Sequence, residues 1–150
     1  QTGLNLRPDV REFLKEISKL AEIVVWTASQ ANYANAAIDF LDPDCQFVSH
    51  RLHRDHCTFS HGVHLKDLRR LNRSLEQMVI VDNSVFSFLL QLSNGVPVLP
   101  YYEGSDDKEL MKLLEYLKQL LQEPDVRVSN SQYFELSRYR KHRPSSWVLR

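Results

Sequence analysis

From Arg7-Pro8-Asp9 onward, apolar residues fall at Val10, Phe13, Leu14, Ile17 and Leu20. Steps of three and four place them on one face of an α-helix, and the proline ahead of them sits where a first turn tolerates it. Glu22-Ile23-Val24-Val25-Trp26 is a short β-branched run that predicts a strand. Thr27-Ala28-Ser29 then forms a polar turn into Ala31–Leu41, where alanine and leucine favour helix. Between Phe47 and Leu65 the pattern breaks into short apolar pieces (Phe47-Val48, Leu52, Cys57–Phe59, Val63–Leu65) separated by charged residues and Gly62. This predicts a small hairpin-rich insertion.

Met78-Val79-Ile80-Val81 predicts a buried strand that ends on Asp82-Asn83-Ser84. Val85–Leu92 then reads as a short helix, Asn94-Gly95 as a turn and Val96-Pro97-Val98 as another short strand. Asp106-Asp107 opens a helical segment through Leu121, with Leu110, Leu113, Leu114, Leu117, Leu120 and Leu121 on one stripe and acidic residues at the positive end of the helix dipole. Strands alternating with helices imply an α/β fold, a parallel sheet flanked by helices with a small β-hairpin insertion. In such folds ligands bind beyond the carboxyl ends of the strands. After Pro124 the chain holds Arg127, Arg138, Arg140, Lys141, Arg143 and Arg150 against Asp125 and Glu135, with little apolar periodicity. The expected organisation is one domain over residues 1–126 and a loosely packed basic tail over 127–150.

A chain of 150 residues is long enough for one domain with a real core. Nineteen basic and 19 acidic residues cancel, so overall charge favours neither nucleic acid nor an anionic membrane, and no direct nucleic-acid binding is expected. The apolar runs are far shorter than the roughly 20 residues a membrane-spanning helix needs. No signal-peptide pattern follows Gln1. Cys45 and Cys57 form no CxxC pair and read as free thiols of a reducing compartment.

Three polar features follow or separate the predicted strands. Thr27, at the end of the first, offers a hydroxyl and nearby turn amides to a phosphate oxygen; helix capping by Thr27 or Ser29 is the plainer explanation. Asp82-Asn83-Ser84 repeats the arrangement after the later strand and offers two oxygen ligands to a hard cation such as Mg²⁺, with capping again the alternative. Between them lies Lys66, in His64-Leu65-Lys66-Asp67-Leu68, a cation suited to neutralising a phosphoryl group in transfer if the fold brings it to the strand ends. Otherwise it is a solvated surface lysine. The order strand-hydroxyl, lysine, strand-acid is what a phosphoaspartate phosphatase needs after its nucleophile strand. His50, His53, His56, His61 and His64 near Cys57 raise zinc, but steps of three along a strand alternate faces and scatter the ligands. No GxSxG, GxxxxGK[ST], GxGxxG or HExxH string occurs.

Further strings stand in a telling order: Leu6-Arg7-Pro8 with Glu12-Phe13-Leu14, Trp26-Thr27-Ala28-Ser29 with Tyr33-Ala34, Arg51-Leu52-His53-Arg54-Asp55-His56-Cys57, Leu65-Lys66-Asp67-Leu68, Ile80-Val81-Asp82-Asn83-Ser84, and Leu92-Ser93-Asn94-Gly95-Val96-Pro97. Together, from Leu4 to Val126, they resemble the FCP/SCP-type small C-terminal-domain phosphatases of the haloacid dehalogenase superfamily, Dullard-like members included. The resemblance implies a Rossmann-like core and a Mg²⁺-dependent phosphoserine/phosphothreonine protein phosphatase working through an aspartyl-phosphate. It makes Thr27 the phosphate-binding hydroxyl, Lys66 the phosphate-stabilising lysine, and Asp82-Asn83 the metal site, with Asn83 the direct Mg²⁺ ligand and Asp82 supporting. Tyr33 and Arg54 occupy positions of substrate contacts.

The same resemblance calls for a DxDx[TV] nucleophile motif some tens of residues before Arg7-Pro8, and the 150 residues contain none. Asp9 is expected inside the first helix, and Asp82 already serves the metal site, so neither replaces it. The expectation is therefore a phosphatase whose nucleophile lies outside this chain, leaving the chain alone inactive. The alternative is a pseudophosphatase serving as scaffold or binding module. Implied partners are a phosphoprotein or phosphopeptide, such as the RNA polymerase II C-terminal domain or a signalling protein, and the implied compartment is the nucleus, with the nuclear-envelope or endoplasmic reticulum membrane through an upstream anchor, or the cytoplasm, as alternatives. In the complete protein, Lys66→Ala is expected to remove most turnover while leaving folding intact.

Overall fold

The computed structural model describes residues 3–134. Its elements are α1 (Val10–Ser18), β1 (Ile23–Trp26), α2 (Ala31–Leu41), β2 (Val48–Leu52), β3 (Thr58–Ser60), β4 (Val63–Leu65), β5 (Ile80–Asp82), β6 (Gly95–Pro97), α3 (Glu109–Leu120) and α4 (Val126–Phe134), with short 3₁₀ segments between them. The fold is α/β. These elements group into two compact units, one of residues 3–56 with Leu99–Lys118 and one of Cys57–Val98 with residues 119–134.

In the first unit β1 pairs in parallel with β2, α1 packs on β1 and α2 on β2. Leu14 and Ile17 of α1 and Ala34 and Ile38 of α2 are buried, as their spacing requires. Leu20 falls beyond the end of α1 and is 51% exposed. Asp9 is not inside the helix: it is the N-cap, in the left-handed conformation at φ 65°, a geometry short polar side chains tolerate. Arg7 clamps the start of α1 to the approach of α3, donating from Nε and Nη2 to the two carboxylate oxygens of Asp107 at 2.9 Å each.

The stretch from Phe47 is only partly an insertion. β2 is a parallel partner of β1; among its polar positions Arg51 pairs with Asp39 at 2.7 Å, and His50 Nε2 lies 3.3 Å from a Glu22 carboxylate oxygen. The hairpin itself is β3–β4, joined by His61-Gly62 with φ of 51° and 77°. Positive φ at both central residues matches the right-handed twist of the flanking strands. Asp42 controls the entry to β2. Nearly fully buried, it accepts from the backbone N–H of Gln46 at 2.8 Å and of Phe47 and Val48 at 2.9 Å each. Burial alone would raise its carboxyl, but the amides of Val48, Phe47 and Gln46 outweigh burial and hold it below the usual carboxylate range.

In the second unit β5 pairs in parallel with β6. The link between them, Val85–Asn94, is a 3₁₀ segment that breaks helical geometry at Phe88 and Gln91. Asn94-Gly95 is therefore not a free turn: Asn94 ends this segment, its side chain donates to the carbonyls of Leu75 and Met78, and Gly95 opens β6. Gly95 has an ordinary φ, yet a Cβ there would stand 2.0 Å from the ring of Phe88, which is fully buried. Glycine is required here by close approach. α3, which falls chiefly in the first unit, buries Leu110, Leu113, Leu114, Leu117 and Leu120, while Leu121 lies past its end.

A loosely packed tail does not begin at Arg127. Residues 126–134 form α4 against the 3₁₀ segment and β6, with Val126 buried and Asn130 donating to the carbonyls of Ser93 at 2.9 Å and Gly95 at 2.6 Å. Its polar composition hid this helix, because the residue that anchors it is an asparagine satisfying two buried acceptors. Arg138, Arg140, Lys141, Arg143 and Arg150 lie outside the described residues. No helix among the described residues is long and apolar enough to cross a membrane.

Candidate active site

Two parallel strands, one in each unit, end in the same local device. At the end of β1, Thr27 Oγ1 accepts from the backbone N–H of Ser29 at 3.1 Å; at the end of β5, Asp82 Oδ1 accepts from the N–H of Ser84 at 2.8 Å. A short polar side chain bonding the amide two residues on tightens each strand-end turn. Capping of the next helix does not account for Thr27 or Ser29: the N-cap of α2 is Gln30, with no side-chain cap. Among the described residues the Thr27 hydroxyl accepts and donates to no partner, which keeps its hydrogen available to an incoming oxygen.

Arg54 stands at the same strand end as Thr27. Its Nε donates to the Ala28 carbonyl at 2.7 Å and its backbone N–H to the Ser29 carbonyl at 2.9 Å, so the turn after β1 and the 3₁₀ turn Arg54–His56 hold each other. Tyr33 lies in the first turn of α2 and is 54% exposed.

The second unit brings Lys66 and Asp82 together. Lys66, just after β4, donates from Nζ to Asp82 Oδ2 at 2.5 Å, with both residues buried. An ammonium this far out of water is held by its carboxylate partner rather than by solvent, so Lys66 is not the solvated surface lysine that stood as the alternative. Asn83, the next residue, is exposed.

The donors suit a hard cation, since a carboxylate and a carboxamide oxygen stand side by side. Asp82 already uses one oxygen on Lys66 and the other on Ser84 N–H, which fits a supporting part. The exposed carboxamide of Asn83, with no hydrogen bond among the described residues, fits direct ligation. The described residues, His50, His53, His56, His61 and His64 included, hold no group of three or more His, Cys, Asp or Glu placed to share a metal.

Sequence reasoning missed the polar residues that support Lys66. Asp67 is buried and accepts from Arg69 (backbone N–H, Nε and Nη2) and from Gln91 Nε2 at 2.8 Å. Burial pushes its carboxyl up, but the hydrogen bonds from Arg69 and Gln91 outweigh burial and leave it below the usual range. A glutamine inside an apolar string was the one available signal.

Parallel strands that end in polar residues, alternating with helices, place the chain in the α/β class. The structure aligns over 93% of the chain with 37% of the fission yeast RNA polymerase II CTD phosphatase Fcp1 at a TM-score of 0.59 and 22% identity, a likeness of fold. Within that class, residues 1–127 match the family model of NLI interacting factor-like phosphatases, and the chain belongs to that family. It is 42% identical over 130 residues to the CTD small phosphatase-like protein 2 of Dictyostelium discoideum, covering 87% of this chain and 23% of that protein. It is likewise 42% identical over 120 residues to the human CTD small phosphatase-like protein, covering 80% of this chain and 43% of that protein. The chain thus spans less than half the length of these relatives.

Proposed function

We propose that this chain is the greater part of a Mg²⁺-dependent protein phosphatase domain that removes phosphate from phosphoserine or phosphothreonine. The observation that carries the reading is the buried Lys66–Asp82 pair at the end of β5 beside the exposed Asn83. A lysine and an aspartate kept out of water are costly as pure structure, and suit a site that must gather negative charge. Family membership adds to it, and so does a human relative named carboxy-terminal domain RNA polymerase II polypeptide A small phosphatase 1.

In this reading Thr27 donates its hydroxyl hydrogen to a phosphoryl oxygen, and Lys66 offsets charge as the phosphorus–oxygen ester bond breaks. Asn83 would hold the cation, with Asp82 fixing Lys66 and supporting Asn83; a cation bound there would supply further neutralisation of phosphoryl charge. Arg54 and Tyr33 contact the peptide. The attacking carboxylate belongs to a DxDx[TV] segment outside these 150 residues. Asp42-Pro43-Asp44 has the spacing of two aspartates but ends in Cys45-Gln46, and Asp42 is committed to three backbone amides. The chain alone is therefore inactive. The substrate is a phosphoprotein, the RNA polymerase II C-terminal domain or a signalling protein, and the compartment is the nucleus.

The test is to incubate the natural protein with Mg²⁺ and a ³²P-phosphoserine peptide, quench in acid, and treat the precipitate with hydroxylamine. Label on the protein that hydroxylamine releases is the expected acyl phosphate, a transient transfer of the phosphoryl group to a carboxylate. Binding of the peptide with neither label nor phosphate release would favour the scaffold reading instead.

A further inference from the structure

Lys66 meets Asp82 because one segment grips both. The backbone N–H of Lys66 donates to the Ser87 carbonyl at 2.8 Å, while Ser84, at the head of the same segment, donates to Asp82. The stronger grip is further along. At Gln91 the 3₁₀ segment leaves helical geometry, with φ −130° and ψ 62°, and the side chain is 5% exposed. A carboxamide at that depth is costly unless both of its ends are matched. Both are: Gln91 Oε1 accepts from the backbone N–H of Leu68 at 3.0 Å, and Nε2 donates to Asp67 Oδ1 at 2.8 Å. Only this orientation sets the donor against the carboxylate and the acceptor against the amide.

The two residues that follow Lys66 are thus pinned to the segment that follows Asp82, through contacts that do not involve the Lys66 side chain. Arg69 closes the far side of Asp67 with its forked guanidinium, Nη2 to Oδ2 at 2.6 Å. We propose that Gln91 is a positioning residue for Lys66: its carboxamide fixes the Lys66-Asp67-Leu68 backbone so that the ammonium arrives at Asp82. Resting on the phosphatase reading above, this makes Gln91 a determinant of turnover rather than of substrate binding. Packing alone would be served by a side chain of similar volume without hydrogen-bonding ends.

The natural protein carrying Gln91→Met tests this with Mg²⁺ and a phosphoserine peptide. The expected result is a fall in kcat of about tenfold or more with KM within about twofold, as loss of position without loss of binding requires. Asn130→Ala, which removes a buried side chain from α4 remote in sequence from the Lys66 turn, keeps kcat. If Gln91→Met does not fold, Gln91→Glu, which retains the acceptor for Leu68 and loses the donor, is read in the same way. A second readout is independent of activity: urea unfolding of Gln91→Met, Lys66→Met and the double variant. Coupling of at least about fivefold in the unfolding equilibrium constant is expected, because the two residues act as one unit. Additive effects in that cycle, wild-type kcat in the Gln91 variant, or an equal loss of kcat in Asn130→Ala would each overturn the positioning role. Coupling in a wild-type protein that shows no turnover would remove the phosphatase reading and leave the positioning role standing.

Discussion

Lys66→Met strips the buried pair of its cation and leaves the Asp82 carboxylate with one donor, the Ser84 amide. The two side chains are only 11% and 8% exposed, so solvent does not replace the lost partner. Removing one member of a buried ion pair costs about 3–5 kcal/mol, a large share of the roughly 5–15 kcal/mol that separates folded from unfolded protein. The expectation that a Lys66 substitution spares folding is therefore withdrawn: loss of turnover has to be read beside loss of stability. The assay is urea unfolding of the natural protein followed by far-UV circular dichroism. A companion, Lys66→Met with Asp82→Asn, removes both charges and retains an oxygen acceptor for Ser84 N–H. It should lie within about 1–2 kcal/mol of wild type, since buried pairs are often replaceable as pairs. A Lys66→Met protein less than 1 kcal/mol below wild type, or a double variant no better than the single, would refute the argument that the carboxylate is stranded.

Other parts of the fold give equally concrete outcomes. Gly95→Ala drives a methyl into the Phe88 ring and should cost at least about 1–3 kcal/mol, with Phe88→Leu restoring part of the loss in a melting experiment. Asn130→Ala leaves the carbonyls of Ser93 and Gly95 without their shared donor and should destabilise by about 1–3 kcal/mol, an effect a loosely packed tail would not show. The folded carboxyls of Asp42 and Asp67 are depressed, so what they add is full above the unfolded aspartate value, about 3.9, and drains away as pH falls below it through the lowered folded values. Asp42→Ala should accordingly lower stability at pH 7 and flatten its decline in acid, measured as the urea midpoint against pH; a parallel decline in wild type and variant would contradict the assignment.

Which parts of this were legible follows from what each residue type reveals. Helix α3 could be read because leucines repeat at helical spacing on one side, and β1 and β5 because β-branched residues run unbroken into polar turns. Thr27, Lys66 and Asp82 were visible as polar residues at strand ends and in sequence order; the meeting of Lys66 with Asp82 belongs to the tertiary structure. In sequence β2 resembles an insertion because Ser49, His50 and Arg51 interrupt its apolar pattern, and nothing local announces a parallel partner some 25 residues earlier. The deeper misses share one cause. Gln91, Asn94 and Asn130 are buried amides that tie backbone groups of distant segments. A pattern of apolar and polar positions assigns such residues to the surface, whereas here they carry the 3₁₀ segment, the register of β6 and the docking of α4.

The most direct test of the central claim is phosphate release from a phosphoserine peptide by the natural protein, with and without Mg²⁺, alongside the 150-residue chain alone. The account predicts turnover by the natural protein that EDTA abolishes and added Mg²⁺ restores, with none from the shorter chain. Metal-independent turnover, or turnover by the 150-residue chain, would contradict it.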